Sequence, residues 1–118
     1  MAGRARDALE AEERVFVNYK LHEDAEHDLR DAATFYQAQA GEQLSKAFLT
    51  EFESTVNHLL NHPRLGPNWR RGKRRMLMHR FPYSIIYDLA NDEIRIYAIA
   101  HHSRHPTYWR QRSWKISR

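Results

Sequence analysis

The pattern of apolar positions along the chain predicts a strand followed by two helices. Apolar residues alternate with polar ones over residues 15–21, which is typical of a strand with one buried face. From His22 the apolar residues recur every three or four positions, so we expect two amphipathic helices separated by Gly41. The second helix is predicted to end at His62, because the residue before Pro63 avoids the helical region. Helices joined by one glycine should pack as an antiparallel hairpin.

Three short strand patterns follow, over residues 75–80, 83–87 and 93–100, with a turn at residues 89–92. They predict an antiparallel meander. The element order β-α-α-β-β-β-α indicates an α+β fold, in which the helix hairpin packs on one face of a mostly antiparallel four-stranded sheet and leaves the other face open. Four aromatic residues within the apolar patterns are predicted to lie in the core: Tyr36, Phe48, Phe52 and Tyr87.

The two ends of the chain differ from this central pattern. Residues 1–14 show no apolar stripe, and we interpret them as a mobile N-terminal extension. The single predicted domain comprises residues 15–118. A short last helix is predicted to begin at Pro106. The aromatic and basic residues of this terminal segment are expected either to pack back on the domain or to contact a partner: Tyr108, Trp109, Arg110, Arg112, Trp114 and Lys115.

Composition narrows the class of protein. A chain of 118 residues with 42% hydrophobic residues favours one compact core. The absence of cysteine excludes disulfides and thiolate metal sites. There is no apolar run long enough to span a membrane and no apolar segment typical of a signal peptide, so the sequence predicts a cytoplasmic protein.

Charge is distributed unevenly along the chain. Residues 1–53 contain 6 Lys/Arg and 12 Asp/Glu, whereas residues 54–118 contain 13 Lys/Arg and 3 Asp/Glu. No acidic residue occurs between Ser54 and Tyr87. Such a concentrated positive field favours binding to phosphate backbones or to an acidic protein.

The most basic segment is residues 69–80, where six Lys/Arg side chains accompany Trp69. Guanidinium groups can hold phosphates bidentately, and an aromatic ring can stack on an unpaired base. The alternative is that these charges only protect an exposed sheet edge from aggregation. The candidate residues for binding the target or a phosphate are Arg70, Arg71, Lys73, Arg74, Arg75, Arg80 and Tyr83.

Three histidines and one arginine follow the last predicted strand, within residues 101–105. Histidine can transfer protons near neutral pH, and an arginine can stabilise charge on a phosphate. His101, His102 and Arg104 are therefore candidate catalytic residues for RNA cleavage. The alternative is that these histidines only form hydrogen bonds at a turn.

A metal site is not predicted. His58 and His62 lie four residues apart on the second predicted helix, a spacing that can hold zinc, but no carboxylate completes the motif. No phosphate-binding loop, dinucleotide fingerprint or nucleophile motif is present either, and we predict no cofactor.

An ordered set of motifs runs through the second half of the chain. It consists of Arg74-Arg75, Phe81-Pro82-Tyr83-Ser84-Ile85-Ile86-Tyr87, Ile94-Arg95-Ile96-Tyr97-Ala98-Ile99-Ala100-His101, Arg104, and Pro106-Thr107-Tyr108-Trp109-Arg110-Gln111-Arg112. As a set, these motifs resemble the RelE/ParE family of bacterial toxins, which includes plasmid-stabilisation proteins. The resemblance covers about residues 15–118.

The resemblance implies the toxin of a type II toxin–antitoxin pair, neutralised by an antitoxin that we expect to be acidic because the toxin is basic. ParE-like members of the family poison DNA gyrase, and RelE-like members cleave messenger RNA on the ribosome. The segment from His101 to Arg112 is more similar to ParE-type sequences, so gyrase is the slightly favoured target. The alternatives are a metal-independent, ribosome-dependent endoribonuclease and a non-toxic module that binds nucleic acid or protein.

Overall fold

The computed structural model describes residues 18–103, 108–109 and 111–114. Several predictions fall on residues outside these ranges: the extension over residues 1–14, the strand start at residues 15–17, Arg104, and the helix start at Pro106.

The described elements follow the predicted order. They are β1 (Asn18–Leu21), α1 (Glu23–Ala40), α2 (Glu42–Asn61), one turn of 3-10 helix (Arg70–Gly72), β2 (Arg74–Leu77), β3 (Tyr83–Ala90) and β4 (Glu93–His101). Two helices pack against a four-stranded mixed sheet, so the predicted α+β fold class is confirmed.

Both helices form over the predicted ranges. His22 precedes α1, and its ring Nδ1 accepts a hydrogen bond from the backbone N–H of Asp24 at 3.0 Å. Gly41 separates the helices with a φ of 90°, in the left-handed region that favours glycine. α2 ends before Pro63, as predicted. Neither helix of the described ranges is apolar enough over its length to cross a bilayer.

The strand order in the sheet is β1-β4-β3-β2. β1 runs parallel to β4, and the other neighbours are antiparallel. The last three strands differ from the prediction only in length. β2 ends at Leu77, since the chain turns over residues 78–82, and β3 continues to Ala90. The predicted four-residue turn is therefore reduced to Asn91 and Asp92, whose φ angles of 53° and 59° are typical of a tight hairpin.

The helix hairpin covers one face of the sheet and buries the main core. Phe48, Phe52 and Tyr87 are each at most 2% exposed, as predicted. Tyr36 is half-buried, and its ring centroid lies 5.4 Å from that of Phe48. The predicted core aromatics thus pack together beneath the two helices.

A bulge in β4 interrupts the alternation of its side chains. Ile86 pairs with Ala98, whereas the next residue, Tyr87, pairs with Ile96. Tyr97 is therefore the extra residue, which explains why Ile96 and Ile99, three positions apart, both belong to the core.

The C-terminal tail packs back on the opposite face of the sheet, which we call the open face. Trp109 is 1% exposed and covers Ile86 and Ala98 in a second, smaller apolar cluster. The described tail residues form turns and irregular backbone. Of the two expectations for the tail, packing on the domain is the one observed for the described residues.

The ion pair between Asp28 and Arg112 anchors the C-terminal tail beside the part of β4 that has no neighbouring strand among the described residues on that side. β1 pairs with β4 only as far as Ile96. Beyond that point, the backbone N–H of Ile99 donates to Asp28 Oδ2 at 3.1 Å, and the carbonyl of Tyr97 accepts from Arg112 Nη1 at 2.9 Å. Arg112 Nη1 also lies 2.6 Å from Asp28 Oδ2. The two side chains therefore replace strand pairing and tie the tail to α1.

Candidate functional site

Three polar side chains from neighbouring segments meet on the open face, at the β2 side of Trp109. Arg75 on β2 donates from Nε to the hydroxyl of Ser84 on β3 at 3.1 Å. The same hydroxyl lies 3.1 Å from Nε2 of His102, which directly follows β4. Ser84 is buried, Arg75 is half-buried and His102 is exposed. We call this group the Arg75 cluster.

Trp69 forms one wall of the Arg75 cluster. The guanidinium carbon of Arg75 lies 4.4 Å from the centroid of the Trp69 ring, and that of Arg70 lies 5.3 Å from it. The loop between Arg70 and Arg75 contains a tight turn, in which Arg71 and Gly72 have φ angles of 57° and 73°. This turn brings the two guanidinium groups to the same tryptophan ring. Arg70 and Arg71 are exposed at the rim.

The neighbouring cation changes the acidity of His102. Partial desolvation of the imidazole against the sheet is the larger cause, and the charge of Arg75 is the second; both lower the pKa of His102 below its ordinary value. The ring is therefore neutral at pH 7. A neutral imidazole next to a fixed guanidinium can accept a proton when an anion arrives.

The two adjacent histidines lie on opposite faces of the sheet. His101 faces α1, where its ring centroid lies 5.0 Å from that of Tyr83 and its Nδ1 lies 2.7 Å from the Ser103 hydroxyl. It lines a pocket of about 320 Å³ together with Asp28 and Phe35. The structure therefore does not bring the two predicted catalytic histidines together. Arg104 lies outside the described residues.

Arg74 and Tyr83 also lie away from the open face. Tyr83 is 8% exposed in the main core, and burial raises the pKa of its hydroxyl. Arg74 Nη1 donates to the carbonyls of Arg64 and Gly66 at 3.2 and 2.8 Å. Arg74 thus fixes the loop that leads into β2. Gly66 is required there, since an added Cβ would lie 2.8 Å from the Tyr87 hydroxyl oxygen.

The remaining basic candidates are dispersed. Arg80 is exposed after β2, and its backbone N–H donates to Glu51 Oε2 at 2.7 Å. Lys73 lies on the open face but on the other side of the sheet centre, where its Nζ is 3.7 Å from Asp88 Oδ2 and 4.4 Å from the Tyr97 ring centroid. The predicted binding residues therefore form one compact group only around Arg75.

Asp88 organises a second polar cluster on the open face. Arg95 donates to both carboxylate oxygens at 2.8 and 3.0 Å, and the Tyr97 hydroxyl donates to Oδ2 at 2.9 Å. Burial and this hydrogen bond raise the pKa of Tyr97 to about 12. Its hydroxyl therefore stays protonated, and the negative charge of Asp88 is compensated by its neighbours. No group of three or more possible metal ligands occurs among the described residues.

The family model described as "ParE toxin of type II toxin-antitoxin system, parDE" matches residues 19–106, about three quarters of the chain. The chain belongs to the ParE toxin family. This match confirms the resemblance inferred from the motifs and includes every residue of the Arg75 cluster.

A solved structure agrees with this family at the level of the fold. The chain resembles a structure described as the "Chromosomal ParDE TA system from P. aeruginosa", with 21% sequence identity and a TM-score of 0.65. The matched region covers 73% of this chain and 96% of that chain. None of the curated proteins matches the sequence significantly.

Two residues of this ParE-family surface have no distinguishing signal in the sequence. Ser84 lies inside an apolar run, and nothing in the run separates it from a tolerated core serine. The strand alternation would place Ser84 on the face opposite Ile85, but its partners come from two other segments. Asp88 is likewise absent from the predicted site, because its ion pairs depend on the register between β3 and β4.

Proposed function

We propose that this chain is a toxin that arrests bacterial growth by acting on DNA gyrase. Membership in the ParE family supports the toxin role. The observation that favours gyrase over RNA cleavage is the placement of His101 and His102 on opposite faces of the sheet. A general acid and a general base must reach the same phosphate, and these two side chains cannot do so together.

The proposed partner that holds the toxin inactive is an acidic antitoxin. The segment from Ser54 to Tyr87 contains no acidic residue, and it supplies both Trp69 and the exposed arginines of the rim. An acidic segment laid against this surface would gain electrostatic complementarity and would associate quickly. The proposal places this pairing in the bacterial cytoplasm, in a system that stabilises a plasmid or a chromosomal locus.

The target is tested by inducing the full chain in a bacterial host without antitoxin, and by following thymidine and amino-acid incorporation minute by minute. We expect thymidine incorporation to fall first while amino-acid incorporation continues, because gyrase inhibition blocks replication directly. Cells that carry the empty vector provide the control. An earlier fall in amino-acid incorporation would contradict the gyrase proposal. If neither falls while soluble protein accumulates, the non-toxic binding module becomes the correct interpretation.

The second candidate function is a metal-independent endoribonuclease on the ribosome. The Arg75 cluster is the specific observation in its favour, since it joins a guanidinium to a histidine that is neutral at pH 7. In this mechanism His102 would transfer the proton and Arg75 would hold the scissile phosphate.

We expect messenger RNA to remain intact during arrest by both the wild-type chain and a His102→Ala variant. Primer extension on messenger RNA from the induced cells measures this. His79→Ala is the matched control, since His79 is an exposed histidine before β3. Cleavage that occurs with the wild type and with His79→Ala, but falls by about 10²–10⁴-fold with His102→Ala, would establish the nuclease instead.

A further inference from the structure

The guanidinium of Arg75 contacts Ser84 and Trp69, and four of its five N–H donors have no partner among the described residues. Its Nε donates to the Ser84 hydroxyl, and its guanidinium carbon lies 4.4 Å from the centroid of the Trp69 ring. Neither Nη atom forms a hydrogen bond or ion pair with the described residues. The edge formed by the two Nη groups can therefore bind two oxygens of one anion. The contacts with Ser84 and Trp69 already restrict the arginine side chain, which reduces the conformational entropy that it loses on binding.

His102 places a titratable ring beside that edge. The Ser84 hydroxyl lies 3.1 Å from both Arg75 Nε and His102 Nε2, so the two side chains occupy adjacent positions on the surface. The described charged or titratable groups that act on His102 are Arg75 and His101. An anion bound between Arg75 and His102 would offset the part of the lowered His102 pKa that comes from the charge of Arg75.

The surrounding charge favours a chain of anions, and Trp69 at the rim favours a nucleic acid among such chains because an aromatic ring can stack on a base. Arg70 and Arg71 are exposed next to Trp69. The nearest acidic residue along β3 is Asp88, whose carboxylate is paired with Arg95 and Lys73. The described rim therefore carries cations and no unpaired carboxylate. Such a surface is electrostatically complementary to a polymer with one negative charge on each unit.

We propose that the Arg75 cluster binds a phosphodiester group of a nucleic acid, and that Arg70 and Arg71 contact the neighbouring phosphates. The inference deepens the proposed function and rests on it for its biological setting, because gyrase works on DNA. DNA and RNA backbones offer the same phosphate chemistry, and Trp69 is available at the rim to contact a base or a sugar.

The first test measures binding of the purified full chain to three fluorescent probes, a 12-nucleotide single-stranded DNA, a 12-nucleotide RNA and a 12-base-pair DNA duplex, over a series of salt concentrations. We expect Arg75→Gln to weaken binding about tenfold and to reduce the salt slope by about one. Arg75→Lys should weaken it nearly as much, since lysine keeps the charge but lacks the two-donor edge. Arg30→Gln, with the same charge change on the exposed side of α1, is the matched control and should bind as the wild type does.

The second test follows the imidazole of His102 by NMR, with its signals assigned from a His102→Gln variant. The pKa of His102 should rise when the preferred probe saturates the chain. It should also rise in free Arg75→Gln, because that substitution removes the neighbouring charge. Thermal unfolding of each variant checks that the fold is retained.

Three results would overturn the inference. One is wild-type affinity in Arg75→Gln, another is an unchanged His102 pKa in the saturated complex, and the third is tighter binding of a poly-glutamate peptide than of any nucleic acid at the same site. Preference for the DNA probes over the RNA probe, or the reverse, identifies the natural source of the phosphate. The phosphate site and the gyrase target can fail separately. A chain that binds nucleic acid at Arg75 but stops translation before DNA synthesis would keep the phosphate site and contradict gyrase as the target.

Discussion

Replacing Trp109 with alanine is expected to lower the free energy of unfolding by about 3–5 kcal/mol, the usual cost of removing a fully buried large aromatic side chain. Trp109 is 1% exposed and packs on Ile86 and Ala98, so its removal leaves a cavity at the centre of the open face. It also frees the tail from the sheet. Urea denaturation followed by circular dichroism measures the change through the midpoint and the slope.

Trp109→Phe separates the contribution of the ring from that of its N–H group. The indole Nε1 is buried with no hydrogen-bond partner among the described residues, and an unsatisfied buried donor costs about 1–3 kcal/mol. Phenylalanine removes that donor while keeping much of the apolar contact, so its cost should be below about 1.5 kcal/mol. Trp114→Ala is the control on the same tail, because Trp114 is only half-buried. Equal losses for Trp109→Ala and Trp114→Ala would show that Trp109 is not the anchor.

The burial of Trp109 also defines which part of the open face a partner can reach. The apolar centre of that face is already covered by the chain itself. What remains accessible is the polar surface on either side, with the Arg75 cluster towards β2 and the Asp88 cluster towards the hairpin end of the sheet. The cations of the Asp88 cluster are paired with a carboxylate, whereas the described residues of the Arg75 cluster include none, and this difference is why the proposed phosphate site lies there.

The elements of the fold were predictable because their signals are local. The three-to-four-residue spacing, Gly41 and Pro63 define the helices within windows of a few residues. The strand meander follows from short apolar runs and turn residues in the same way. The parallel pairing of β1 with β4 has no such local signal, since it joins Asn18 to Glu93 across most of the chain.

The composition of the site was less predictable because sequence neighbours separate in a strand. Arg74 and Arg75 are adjacent in sequence, yet the first fixes a loop on the core side and the second lies on the open face. His101 and His102 separate in the same way. The cluster of basic residues therefore predicted the segment that carries Arg75, but the face of each side chain depended on where each strand begins.

The tail shows the same limit over a longer distance. Asp28 is one of several acidic residues on the polar side of α1, and nothing in the helix pattern distinguishes it from Asp31. Only the folded chain shows that Asp28 meets Arg112, 84 positions later, whereas Asp31 stays exposed. An ion pair between such distant positions leaves no periodic signal in one sequence.

Replacing Asp28 with asparagine is expected to cost about 3 kcal/mol of folding free energy, near the lower end of the range for breaking a buried ion pair. The two side chains are only 12% and 13% exposed, so the substitution removes the shorter ion pair of Arg112 in a poorly solvated position. Among the described residues it leaves only the ion pair with the more exposed Asp24, whose Oδ2 lies 3.6 Å from Arg112 Nε. It also weakens the acceptor for the Ile99 N–H and for the Tyr108 hydroxyl. Thermal unfolding should show a decrease in Tm on the order of 10 °C.

The matched control for this prediction is Asp31→Asn, which makes the same chemical change one turn later on the exposed side of α1 and should shift the Tm very little. A double-mutant cycle with Arg112→Gln then isolates the pair. If the ion pair is the cause, the Asp28→Asn, Arg112→Gln double variant will be less destabilised than the sum of the two single variants, by about 1 kcal/mol or more. Additive losses would instead assign the effect to the separate backbone contacts, in which Asp28 holds the Ile99 N–H and Arg112 holds the Tyr97 carbonyl along the uncovered edge of β4.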